Sequence, residues 1–170
     1  MRCFPVICLS LLVVWLAGCA GYRLGPTNGL PAGSRSVQVN LFQNRTPEPR
    51  LSEAVAQALR KRFQQEGTYR LATQDDADII IYGEILNYDR EAVSFQPTDV
   101  ITPVDFDITI TVHVVAEERA TGRKLIDRNV TGHTTIRIGS DQTSAERMSL
   151  PILAEDFAHN AASLLVDGTW

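Results

Sequence analysis

The stretch Val104-Asp105-Phe106-Asp107-Ile108-Thr109-Ile110-Thr111-Val112-His113-Val114 decides the fold class, because apolar and polar side chains alternate along its whole length. A period of two is that of a strand with one face buried and the other wet. Thr121-Gly122 then reads as a turn, and Ile126, Val130, Thr134, Ile136 and Ile138 fall on one face of a second long strand. Together they predict an antiparallel hairpin. Strands longer than the common length of about five or six residues are expected to project past whatever covers them.

Upstream, Ile79-Ile80-Ile81-Tyr82-Gly83-Glu84-Ile85-Leu86 is apolar at nearly every position, the pattern of a central strand covered on most of both faces. Gly83 is expected to admit a helix closely or to mark a bulge. From Asn87 to Phe95 the pattern turns half polar, with Glu91, Val93 and Phe95 on one face, so the strand is expected to run on beyond the core until Gln96–Pro103 breaks it. A short first strand carries Val37, Val39 and Leu41 and stops at Asn44-Arg45-Thr46-Pro47-Glu48-Pro49. Tyr69–Leu71 reads as a brief pairing segment before the acidic turn Asp75-Asp76-Ala77-Asp78.

Helical spacing occurs twice. Leu51, Val55, Leu59 and Phe63 recur every fourth residue, predicting a helix over 51–66 that Gly67 ends. Thr143 with Glu146 reads as a capping box, and Leu150, Leu153, Phe157, Ala161 and Leu164 keep helical spacing after it; Pro151 is expected either to kink that helix or to split off its first turn. Both helices are amphipathic and need an apolar surface. The simplest arrangement is an α+β fold: two amphipathic helices packed side by side on one face of a four-stranded mixed β-sheet.

The N-terminus is of another kind. Met1-Arg2 is a short basic start, and Phe4–Trp15 is apolar but too short to be a comfortable membrane span, the build of an export signal. Leu16-Ala17-Gly18-Cys19 resembles a bacterial lipoprotein lipobox, which implies cleavage before Cys19 and a lipid anchor on that residue. Residues 1–18 are therefore read as a signal peptide, 19–36 as a lipidated tether rich in glycine and proline, and 37–170 as one α/β domain. Ala20 follows the cysteine, where an Asp would imply retention in the inner membrane, so the outer membrane, facing the periplasm, is the expected location.

Cys3 and Cys8 leave with the signal and lipid occupies the sulfur of Cys19, which leaves no thiol for a disulfide, a zinc site or a nucleophile. A formal charge of −4 argues against nucleic acid as a partner. No glycine-rich phosphate loop, Gly-x-Ser-x-Gly or His-Glu-x-x-His occurs, so no enzyme, cofactor or metal is expected. His113, His133 and His159 lack ligand spacing. Asp75, Asp76 and Asp78 read as a charged turn in preference to a calcium loop, and Asp105 with Asp107 as a solvent-facing row in preference to a catalytic pair. At the hairpin turn Arg119, Arg123 and Lys124 make a local basic patch, a candidate for the phosphates of a lipid headgroup.

In order and spacing these features resemble the lipopolysaccharide-assembly lipoprotein family, LptE. The resemblance runs through Cys19-Ala20-Gly21-Tyr22-Arg23-Leu24, Ser36-Val37-Gln38-Val39, Phe42-Gln43-Asn44-Arg45-Thr46 and Ala58-Leu59-Arg60-Lys61-Arg62-Phe63. It continues through Ala77-Asp78-Ile79-Ile80-Ile81-Tyr82-Gly83-Glu84-Ile85, Thr121-Gly122-Arg123-Lys124-Leu125 and Leu153-Ala154-Glu155-Asp156-Phe157-Ala158. It implies a lipid-anchored protein seated as a plug in the outer-membrane β-barrel LptD, assisting barrel assembly and delivery of lipopolysaccharide, with the long strands and polar sheet face lining a polar lumen. Two other classes compete. One is a periplasm-facing lipoprotein that activates a cell-wall synthase or nucleates a secretion pore, against which the short tether argues. The other is a lipid-anchored hydrolase, which would need a deep pocket holding two carboxylates with shifted titration.

Overall fold

The computed structural model describes residues 32–72, 76–96, 99–137 and 142–168. In chain order the elements are β1 (Arg35–Val39), β2 (Gln43–Asn44), α1 (Leu51–Glu66), β3 (Tyr69–Leu71), β4 (Ile79–Gln96), β5 (Asp99–Glu118), β6 (Lys124–Arg137) and α2 (Gln142–Val166). The sheet is mixed, in the order β3-β1-β4-β5-β6, with β2 beside β4. β1 runs parallel to β3 and to β4, whereas β4, β5 and β6 form an antiparallel meander.

The expected four strands are thus six. β3 is the Tyr69–Leu71 pairing segment read from the sequence, here joined to β1, whereas β2 is only two residues long and joins β4 through backbone hydrogen bonds, too short to leave a periodic side-chain pattern. Leu41, assigned to the first strand's apolar face, lies past the end of β1 and is 61% exposed; Phe42 enters the core in its place, 2% exposed. The expected break over Gln96–Pro103 is shorter than predicted, because β5 already pairs at Asp99 with Gln96 and at Pro103 with Phe95. Ile138, placed on the second hairpin strand, lies outside the described residues.

One sheet face is apolar. Val37 and Val39 of β1, Ile79, Ile81 and Ile85 of β4, and Ile108, Ile110, Val112, Val114 and Ala116 of β5 are buried there. α1 covers the β1 side with Leu51, Val55, Leu59 and Phe63, and Gly67 caps it in the left-handed conformation (φ 67°) while its N–H donates to the Phe63 carbonyl. α2 covers β5 and β6 and packs along α1 with Leu153, Phe157, Ala161 and Leu165. It runs through Pro151 as one helix, so no separate first turn is split off. The Thr143 side chain of the expected capping box lies outside the described residues. Phe42 meets Phe157 edge to face at 6.3 Å between ring centroids, and Phe63 meets Tyr69 likewise at 6.2 Å, joining the two helices to the sheet through aromatic contacts. Each fully buried side chain of this size contributes about 1.5–3 kcal/mol from burial.

Two glycines mark close approaches. At Gly132 of β6 an added Cβ would stand 2.6 Å from the Phe157 Cβ and 2.9 Å from the Leu153 carbonyl oxygen, so α2 crosses there directly on the strand backbone. Gly83 faces a different neighbour from the helix expected: the His113 carbonyl oxygen of β5 and the Phe42 ring crowd it. Next to Gly132, α2 also closes the open edge of β6. The His133 N–H donates to Asp156 (2.9 Å) and the Asn160 amide donates to the Thr131 carbonyl (3.0 Å), so edge groups that would otherwise template strand addition are occupied.

Candidate functional site

Three surfaces lie outside the core: the corner where the chain enters the sheet, the sheet face opposite the helices, and the far end of the β4–β5 hairpin. Val37 pairs with Ile79, and Ile79 with Glu118, so the start of β1 lies at the same end as the β5–β6 turn. At about 3.3 Å per residue, the 20 residues of β5 place the opposite hairpin end on the order of 60 Å away.

The entry corner is a network of paired charges. Asp78 clasps Ser36: its carboxylate accepts from the Ser36 N–H (2.7 Å) and hydroxyl (2.8 Å), while its own N–H donates back to that hydroxyl (3.0 Å). These bonds hold the Asp78 carboxyl below its ordinary range. Buried Glu118 accepts from the Thr121 hydroxyl (2.6 Å) and the Arg35 guanidinium, and for the same reasons titrates low. Of the residues read as a charged turn, Asp75 lies outside the described residues, and Asp78 is committed to Ser36.

The three cations singled out from the sequence meet at this corner, and each has a partner there. Arg119 donates to the Ala77 carbonyl (2.9 Å) and to the Gln38 side chain (3.2 Å), so it ties the turn to β1. Arg123 stands 3.9 Å from Glu118, and Lys124 bonds Asp127 at 2.7 Å, which raises the lysine's pKa. Arg123 and Lys124 remain more than half exposed.

On the sheet face away from the helices, cross-strand neighbours on β5 and β6 are Thr109 with His133, Thr111 with Thr131, and His113 with Asn129. His113 bonds Asn129 (3.1 Å) and reaches Asp127 (3.1 Å), and His133 reaches Asp156 (3.1 Å). Beyond this band, Asp105 pairs with Arg137 (2.7 Å) and accepts from Ser94 (2.5 Å), which depresses its pKa to about 2. Asp107 accepts from Thr135 at 2.6 Å. The two aspartates share a face as predicted, each engaged across the sheet by β6.

Past Ala92 the hairpin leaves the helices behind. Arg90 ion-pairs with Glu146 near the start of α2 and lies 5.3 Å from the centre of the Phe106 ring. Val93 (48%) is exposed at the level of the last described β5–β6 pair, and Phe95 (47%) and Ile101 (84%) stand exposed on the β4–β5 hairpin end beyond it. The sequence reading foresaw the projection but missed Ile101, because Gln96–Pro103 read as loop.

No helix of the described residues is long and apolar enough to cross a membrane, and among those residues no three histidines, cysteines or carboxylates gather as a metal site. A groove of about 180 Å³ between the helices is lined by Lys61, Arg62, Glu155 and His159 among others; its one carboxylate, Glu155, pairs with Lys61. His159 thus lies on the helical side, apart from His113 and His133 on the sheet.

The family model described as LptE, lipopolysaccharide-assembly, matches residues 34–167. No curated protein is similar enough in sequence to be matched. Among solved structures, a Xanthomonas campestris protein has a TM-score of 0.60 at 11% identity, over 86% of this chain and 91% of its own. A Chlamydia trachomatis protein has a TM-score of 0.55 at 8% identity, over 77% of this chain and 95% of its own. At such identities the likeness is one of fold.

Proposed function

The chain belongs to the LptE lipopolysaccharide-assembly family, and from that membership we propose that it is an outer-membrane lipoprotein that plugs a large LptD-like β-barrel and assists lipopolysaccharide delivery. In this reading residues 1–18 are removed, Cys19 carries the lipid, and the tether up to residue 36 holds the domain at the periplasmic face. The role is steric and adhesive, with no covalent step, in keeping with an assembly family.

The observation that carries the reading is the projecting β4–β5 ribbon. The hairpin end exposes Phe95 and Ile101, with Val93 exposed beside the last described β6 pair, and such apolar side chains are stabilised when a partner surface covers them. It points away from the chain's entry corner, so a partner reached by the ribbon is engaged at the end opposite the anchor. At the entry corner Arg123 and Lys124 are placed to meet phosphates of the lipid, in exchange for their present carboxylate partners; Arg119 serves chiefly to hold the turn.

The test is to extract the acylated protein from its own membranes in mild detergent and identify what accompanies it by mass spectrometry. A large β-barrel in near-equal amount is expected, and Cys19→Ser should release the protein from the membrane fraction. Recovery of a cell-wall synthase or secretion pore in place of a barrel would overturn the plug reading in favour of an interaction module.

A further inference from the structure

The outer edges of the sheet are unequal. Asp156 and Asn160 close that of β6, and β3 is only three residues long. The edge of β4 is different. β1 pairs with it over Ile79–Ile81 and β2 over Glu84–Ile85, and the bond from the Arg45 N–H to the Ile85 carbonyl (3.0 Å) is the last on that side among the described residues. The chain then turns away through Pro47 and Pro49 into α1. From Asn87 to Ala92, β4 keeps an unbroken register with Thr111 to Phe106 of β5, and among the described residues no strand lies on its other side. The direction of its backbone groups follows from β6. There His133 turns its N–H away from β5, so Thr109 opposite it turns toward β4 and exchanges bonds with Asp89. Alternation then points the backbone groups of Tyr88, Arg90 and Ala92 outward. The Asn87 side-chain oxygen takes the Tyr88 N–H (3.0 Å), whereas the Arg90 and Ala92 N–H groups have no such acceptor among the described residues.

The side chains along this edge differ by face. On the open face Asp89 and Glu91 are exposed, and Glu91 stands directly opposite Asp107 of β5, a like-charge pair that costs stability. Among the described residues none of the three makes an ion pair: Asp89 accepts from the Asn87 amide and Asp107 from the Thr135 hydroxyl. On the helix side Tyr88 and Ala92 are half-buried, and the cation between them, Arg90, is held by Glu146. We infer that Asn87–Ala92 is a docking edge for an extended strand of another polypeptide, one with cationic side chains at alternate positions and apolar side chains between them. Its main chain satisfies the outward groups of Arg90 and Ala92, its cations meet Asp89 and Glu91, and its apolar side chains lie beside Tyr88 and Ala92. A second copy of this chain fits badly, because antiparallel pairing centred on this stretch sets Asp89 and Glu91 against the same carboxylates. The charges that exclude self-pairing thereby select a basic strand. Any polypeptide with such a strand meets these requirements, whether or not the chain plugs a barrel.

The acylated protein in detergent is titrated with a peptide of alternating lysine and valine, and with a counterpart in which glutamate replaces lysine, while amide hydrogen exchange is followed residue by residue. Binding of the lysine peptide but not the glutamate peptide is expected, with exchange at the Arg90 and Ala92 N–H slowed about tenfold or more at saturation. Asp89→Asn with Glu91→Gln should keep the parent's thermal melt and weaken binding about tenfold, the factor that two exposed ion pairs of about 0.7 kcal/mol each amount to. Ala92→Pro removes an outward N–H and no bond to β5, so it should fold and lose the peptide. Binding that leaves exchange at Arg90 and Ala92 unchanged would mean that the carboxylates merely attract cations, and the docking edge would be wrong. Absence of lysine-peptide binding at millimolar concentration overturns it as well, as does protection of the same two amides by dimerisation without peptide. Co-purification of a barrel, measured separately, decides the function proposed above and is untouched by any of these results.

Discussion

Gly132 of β6 lies directly under Phe157 of α2, with room for no more than a hydrogen between strand backbone and helix: a Cβ on Gly132 would approach the Phe157 backbone nitrogen to 2.8 Å. Because the obstacle is backbone, it cannot swing aside as a flexible side chain would. Gly132→Ala is therefore expected to lower stability by about 1–3 kcal/mol, read as a lower denaturant midpoint. An unchanged midpoint would show that α2 is free to lift off the strand.

Phe157 itself is fully buried and meets Phe42 edge to face. Phe157→Ala should cost about 3–5 kcal/mol and uncouple both helices from the sheet, seen as loss of near-ultraviolet circular dichroism at temperatures where the parent is folded. Phe42→Leu leaves a smaller apolar side chain in place and should cost less than half as much.

The β6 edge depends on Asp156 and Asn160. With Asp156→Ala and Asn160→Ala together, the His133 N–H and the Thr131 carbonyl lose their side-chain partners, and strand addition between copies becomes available. Concentration-dependent self-association is expected by sedimentation, where the parent stays monodisperse. Monodispersity of the double variant would mean that packing alone guards the edge.

Asp105 governs an acid-dependent contact. Its pairing with Arg137 and Ser94 sets its folded pKa at about 2, below the ordinary 3.8, so the stabilisation is present above the ordinary value and is lost as pH falls from about 4 through 2. Carboxyl nuclear magnetic resonance should show Asp105 titrating at about 2, and Arg137→Gln should move it back up. A midpoint near 3.8 in the parent would mean the pair does not hold in solution.

Much of this was legible in the chain before any coordinates. The helix over 51–66 and its Gly67 cap are a matter of spacing, and the alternation over 104–114 assigns both faces of β5 from side-chain polarity alone. The basic patch Arg119, Arg123 and Lys124 was equally visible as charges close together in sequence. The commitments of Arg119 were not, because Gln38 and Ala77 come to it from two distant stretches of chain, whereas Glu118 and Asp127, the partners of Arg123 and Lys124, are close in sequence. The same reason hides Ser36 as the partner of Asp78.

What the sequence by itself determined is therefore whatever depends on local period and composition: two amphipathic helices, three long strands and the hairpin turn. Tertiary structure alone decided the pairing of β2 with β4, the clamp of α2 over Gly132 and the closing of the β6 edge. Each of these depends on which distant segments come together, and the period along any one segment does not encode that. A pattern along one strand does not reveal which side chain on another will stand opposite it.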